Sequence, residues 1–170
     1  MRSDDCLLQP RRLFAMLAVG AAALFFTAPG AKADPGGAFS AFAGTFRGGG
    51  EVLVNDGHRE RISCRATGAV GGGGRTLSQN IVCASDAYKF DIRGQVVASG
   101  GEVSGDWQET TRGVSGALTG RISDDHFSGM INGGGFTAGF SLRVNGRRLA
   151  FGLRPGGDSS VVRLDVSLSR

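Results

Sequence analysis

The chain holds two histidines, three cysteines and a single tryptophan, and each scarcity narrows what it can do. His58 follows an Asn55-Asp56-Gly57 turn and His126 follows Asp124-Asp125, so neither histidine has a second at ligand spacing. No Cys-x-x-Cys pair exists, and a metal site needs three or four such groups. No metal and no cofactor is therefore expected. A catalytic set is equally absent. "GDSS" at 157–160 has the look of a protease nucleophile loop without the rest of that enzyme. "GAVGGGGRT" puts Ala69 and Arg75 where a phosphate loop needs Gly and Lys, and no helix follows to supply a dipole. The expectation is a protein that is not an enzyme.

Lysine is almost missing too: Lys32 and Lys89 are the only two. Basic residues are not interleaved with aromatics as nucleic-acid surfaces require, so no nucleic-acid partner is expected. A sustained 3.6-residue period is also lacking, which excludes a helical domain.

The one long apolar run is "LFAMLAVGAAALFFTA", from Leu13 to Ala28, behind Arg11 and Arg12. Pro29-Gly30 ends it and "AKA" closes at Ala33. A basic stretch, a short apolar stretch and small residues before a cut describe a secretory signal peptide at 1–33. The run is shorter than the ~20 residues of a spanning helix, so the mature protein is not expected to span a membrane by a helix. "RRLF" leaves twin-arginine export open beside the general route. The expected address is periplasmic or secreted, with cleavage after Ala33. The leader holds Arg2, Arg11, Arg12 and Lys32 against Asp4 and Asp5, so the net charge of +4 falls to +2 for the remainder.

What the remainder does have is glycine and alternation. Phe136, Ala138, Phe140, Leu142 and Val144 alternate with polar or small residues up to Asn145-Gly146, a hairpin signal because both residues accept positive φ. Leu149, Phe151 and Leu153 carry the same face back, and Val162, Leu164, Val166 and Leu168 carry a last strand. Read backwards, similar strands are expected around Phe46–Val54, Ile62–Ala66, Leu77–Cys83, Tyr88–Val96, Val103–Trp107, Val114–Ile122 and Phe127–Ile131. Consecutive strands on short turns make an antiparallel up-and-down meander, and a long meander closes to remove its edges. The fold class is all-β: a small barrel of about 8 to 10 strands over 45–170, behind a flexible segment at 34–44.

Glycines recur on the inward parity at 48, 50, 94, 105, 116, 120 and 129. They permit sharp strand coiling, or they leave internal space; only the second predicts a cavity. Trp107 shares that parity and fills a middle thinned by glycine. Its indole N–H needs a partner when buried. Glu109 and Thr111 follow on the same parity, so Trp107, Glu109 and Tyr88 are the candidate ligand contacts near one mouth.

Cys64 and Cys83 remain after the leader that carries Cys6. An even pair in an oxidising compartment reads as a disulfide, and pairing them puts Ala66 opposite Ile81 on one hairpin face. Arg59, Arg61 and Arg65 project from the outer face of their strand with Arg47 beside them. That face is either a solvated edge guard or a contact for anionic envelope glycans or lipid head groups.

"GDW" followed by "SGALTG", within 105–120, resembles the Gly-x-Trp and Gly-Ala-Leu-Thr-Gly strands of avidins, and Gly-x-Trp is also similar to lipocalins. The resemblance implies barrel architecture and carries over no ligand residue. "RERISCRA", "LSQNIVCASDAYKFDI" and "GDWQETTRGVSG" resemble small exported alphaproteobacterial proteins of unassigned function across most of 44–145. That resemblance implies an exported barrel with the disulfide and supplies no chemistry. Two functions follow: a non-catalytic envelope or interaction module with a filled barrel, or a binder of a small apolar ligand beside Trp107. An uncharacterised enzyme is the third. A void beside Trp107 would favour the ligand; side chains meeting across the axis would favour the module.

Overall fold

The structure is a computed structural model that describes residues 37–170. The expected signal peptide lies outside the described residues. Ten strands follow one another: β1 (Gly44–Val54), β2 (Arg59–Gly71), β3 (Thr76–Ala84), β4 (Lys89–Ser99) and β5 (Glu102–Glu109) come first. Then come β6 (Val114–Ser123), β7 (His126–Gly133), β8 (Phe136–Asn145), β9 (Arg148–Pro155) and β10 (Val161–Ser169). Each pairs antiparallel with the next, and β10 pairs with β1, so the sheet is a closed barrel with no free edge. The alternation has its physical basis here: inward residues such as Ile62, Cys64 and Ala66 are buried while Arg61, Ser63 and Arg65 are exposed.

The expected registers hold. Cys64 faces Cys83 and Ala66 faces Ile81. The two cysteines form a disulfide with Cα atoms 4.1 Å apart. Asn145 pairs with Arg148 around Gly146, whose φ is +58°.

The two ends of the barrel differ. At one end the chain enters through Phe39 and a single 3₁₀ turn, Ser40–Phe42, which caps the interior. Phe39 and Phe42 are fully buried, and the Phe39 ring lies 5.5 Å from that of Phe127. The Phe39 N–H donates to the Gly74 carbonyl at 2.9 Å, and Arg170 donates to the Ala41 carbonyl at 2.6 Å. The sequence reads 34–44 as a flexible segment and the Gly71–Gly74 run as a flexible tip. Within the described part, 37–43 instead packs onto that tip, because two phenylalanines bury more apolar surface than a free tail would leave in water. Among the described residues, the turn end formed by 55–58, 85–88, 110–113, 134–135 and 156–160 has no such cap. It is the mouth.

Glycine decides how tightly the wall coils. At six of the seven inward glycines an added Cβ would run into the backbone of the neighbouring strand; Gly120 and Gly129, register partners, each block the other's strand. Gly94 alone has room, its nearest neighbours lying 3.8 and 4.0 Å from an added Cβ. The glycines serve close strand approach and do not hollow the interior. The middle of the barrel is filled except for a void of about 50 Å³.

Candidate ligand cup at the barrel mouth

Trp107 sits inside, 4 % exposed, flanked in register by Gly94 on β4 and Gly116 on β6. Its indole N–H donates to the Asn132 carbonyl at 3.1 Å, on β7, two strands away. Gly116 makes that reach possible: an added Cβ there would collide with this carbonyl. The expected filler of the middle is thus a partition. Below it lies the small void; above it the mouth opens into a cup of about 570 Å³. That volume falls in the range of ~300–1,000 Å³ found for small-molecule sites.

The cup has an apolar interior. Trp107, Ile131 and Leu164 lie among its deep lining, with Phe90, Phe136 and Leu153 on the walls. Phe136 packs tilted on Trp107 with ring centres 5.7 Å apart. The polar part is the rim, from Glu109 and Arg112 on one side to the Gly156–Ser160 turn on the other.

Glu109 is the one buried charged residue among those described. One carboxylate oxygen accepts from the Asp91 N–H at 3.0 Å, the Thr111 N–H at 3.1 Å and the Thr111 hydroxyl at 2.7 Å. The other accepts from the Arg112 N–H at 2.9 Å and its guanidinium at 3.4 Å. Burial pushes its pKa up, but the hydrogen bonds from Asp91, Thr111 and Arg112 outweigh this and hold it below the ordinary carboxylate value. Glu109 is therefore a charged brace for the 110–113 turn. Arg112 is committed in turn: it also donates to the Lys89 carbonyl at 3.2 Å and lies 5.0 Å from the centre of the Phe90 ring.

Of the three residues expected at a ligand, Trp107 and Glu109 come together on the cup. Tyr88 does not line it; half-buried, it stacks on Phe90 with ring centres 6.1 Å apart. Sequence reasoning placed Phe90 and Phe136 inside without assigning them to the site, and it passed over Arg112. The Glu109-x-x-Arg112 spacing across a Thr-Thr turn was the available signal.

The four arginines lie apart from the cup, all exposed on the outer wall. Arg47 stands directly opposite Arg65, and Arg61 opposite Glu51, whose carboxylate pairs with Arg59. His126 touches the Ser141 hydroxyl at 3.1 Å, and Ser159 accepts from the Val161 N–H at 3.2 Å. Among the described residues no three His, Cys, Asp or Glu side chains gather as a metal site.

No family model matches the chain, and no curated protein matches it in sequence. The resemblances to avidins and to exported alphaproteobacterial proteins therefore gain no support from known relatives. A solved structure does match in shape: the crystal structure of Rv2717c from M. tuberculosis, at 15% identity and a TM-score of 0.61. The match covers 77% of this chain and 93% of that one. At this identity the likeness extends to the fold, and the chain is a closed ten-stranded antiparallel barrel of the same general shape.

Proposed function

We propose that the protein is an exported, non-catalytic binder of a small, largely apolar molecule, held in the mouth cup against Trp107. The observation that carries this reading is the cup itself: about 570 Å³ of concave, aromatic-lined space at the uncapped end. A barrel serving only as an interaction module has no need of one end capped by Phe39 and Phe42 and the other left open over an indole. The disulfide suits an oxidising compartment and supports the exported part of the reading. The outer arginine face, with Arg47 and Arg65 opposed and, among the described residues, paired with no carboxylate, supports the alternative of an anionic envelope contact.

The test uses Trp107 as its own reporter, since it is the sole tryptophan. N-phenylnaphthylamine, a neutral apolar fluorophore, is titrated into the protein while energy transfer from Trp107 is followed. One-to-one saturable transfer, lost in Val161→Arg, which puts a long side chain into the cup, is the expected result. Transfer that never saturates, or that persists in the folded Val161→Arg variant, refutes the cup as the site.

A further inference from the structure

Resting on that reading of the cup, we infer that its ligand is an apolar monoanion, a chain or ring ending in a carboxylate, and that the Arg112 guanidinium receives the head group. Among the described residues Arg112 is the one cation that lines the cup, and its hold on the protein runs through a single nitrogen. Nη1 makes all three side-chain hydrogen bonds, to the Lys89 carbonyl at 3.2 Å, the Thr111 hydroxyl at 3.3 Å and Glu109 at 3.4 Å. The guanidinium carbon lies 5.0 Å from the centre of the Phe90 ring, a second restraint on the group. Among the described residues Nε and Nη2 have no partner, and half of the side chain is exposed. These two nitrogens share one edge of a planar group, and their parallel N–H bonds match the two oxygens of a carboxylate. The barrel already uses that edge elsewhere: Nε and Nη2 of Arg93 donate to the two oxygens of Asp91 at 3.2 and 3.1 Å. On Arg112 the same edge is held in place and uncommitted.

Glu109 does not compete for that edge. Its oxygens accept from the Asp91 N–H, the Thr111 N–H and hydroxyl and the Arg112 N–H, all closer than the guanidinium. A head group on the Nε–Nη2 edge leaves every one of these bonds in place. One guanidinium beside a buried carboxylate suits one further negative charge, which favours a carboxylate over a phosphate dianion. Asp158, in the turn on the other side of the rim, is the remaining charged residue that lines the cup. Among the described residues no side-chain hydrogen bond or ion pair braces it. Its charge turns a carboxylate head away from that side and toward Arg112, so the rim is polarised across its width. An ammonium head would meet an unbraced partner at Asp158 and repulsion at Arg112. A donor pair already held in place loses less freedom on binding than an unbraced one, so the carboxylate is the better fit. Trp107, Phe136 and Leu153 then take the apolar body.

Decanoate, decanol and decylamine share a chain and differ only in the head, which is negative, neutral and positive at neutral pH. Each is titrated into the intact protein below its micellar concentration, by calorimetry and by Trp107 emission. In an apolar cup with no partner for the head, the alcohol binds better, because leaving water costs the carboxylate more. Decanoate is instead expected to bind at least about tenfold tighter than decanol, the factor that ~1.4 kcal/mol of differential interaction gives. Arg112→Gln, its folding checked by urea unfolding, should reverse that order and leave decanol affinity unchanged. Decanol or decylamine binding the parent as tightly as decanoate overturns the carboxylate assignment, without need of the variant, while leaving the cup standing. Decanoate keeping its advantage in the folded variant overturns Arg112 as the receiving group. Failure of all three to bind, or to perturb Trp107, overturns the cup reading and the carboxylate assignment together.

Discussion

Gly94 and Gly116 flank the same tryptophan, yet an alanine at each should have opposite consequences. At Gly116 a Cβ would meet the Asn132 carbonyl and the Gly133 backbone, neither of which can rotate aside. Forcing β6 and β7 apart is an overpacking change of ~1–3 kcal/mol. It also obstructs the carbonyl that accepts from Trp107, and a stranded buried donor costs ~1–3 kcal/mol more. Restricting the unfolded chain returns only ~0.4–1 kcal/mol. The net expectation for Gly116→Ala is a loss of about 2–4 kcal/mol. At Gly94 the Cβ would enter the edge of the ~50 Å³ void, with nothing nearer than 3.8 Å. Gly94→Ala should therefore stay within about 0.5 kcal/mol of the parent. Urea unfolding followed by Trp107 emission reports both, and with slopes of ~1–3 kcal/mol per molar the two midpoints should separate by about 0.5 M or more. Equal midpoints would refute the argument that strand approach, and not internal space, explains the inward glycines.

Four further outcomes are expected. Cys64→Ser with Cys83→Ser should cost roughly 3 kcal/mol in the chain-entropy model, and the parent denatured without reductant should titrate no thiol from this pair. Folding holds the Glu109 carboxyl below its ordinary value of 4.5, so its contribution is complete above that value and is lost as pH falls through the folded one. Glu109→Gln should thus lose about 1–3 kcal/mol at neutral pH and show a flatter acid-side stability curve; a curve parallel to the parent's refutes the brace. Phe42→Ala should cost ~3–5 kcal/mol while leaving N-phenylnaphthylamine affinity unchanged, because the cap and the cup occupy opposite ends. Intact mass of envelope-fraction protein should begin at Asp34, and a mass that retains Met1 rules out cleavage.

Much of the barrel was legible because strand chemistry is local. Cys64 and Cys83, Ala66 and Ile81, and the Asn145-Gly146 turn fall in register by counting from a turn, and parity finds the inward residues except on β10: a register shift between Leu53 and Val54 brings Val161 opposite Val54 and leaves Val162, expected on the inner face, exposed. The cap was not legible. Phe39 and Phe42 sit three apart in an Ala- and Gly-rich stretch with no alternation, and their burial depends on where the barrel's end happens to be. Gly94 and Gly116 have the same parity and the same neighbour, yet only the distance to the next backbone separates the open position from the closed one. Arg112 looks like a free surface cation in the sequence; the groups that hold its Nη1 come from the turn's conformation and from a carbonyl 23 residues away. Trp107 was placed inside correctly, but whether it fills a core or divides a cup from one depends on what caps each end.

The seam between β1 and β10 has a kinetic meaning. Nine of the ten strand pairings join neighbours in the chain and can zip from their turns, whereas the tenth joins Arg47 to Ser169. Bringing those segments together costs about 4 kcal/mol of loop entropy that no hairpin shares. Folding should therefore pass through an open, curled meander that keeps two bare edges until the last strand docks. That species is the one able to pair with its own kind, and shortening β10 should lengthen its life before it weakens the finished barrel. Concentration-dependent refolding, with strand-exchanged dimers at high protein concentration, is the signature to expect of a ring whose clasp is made from its two most distant parts.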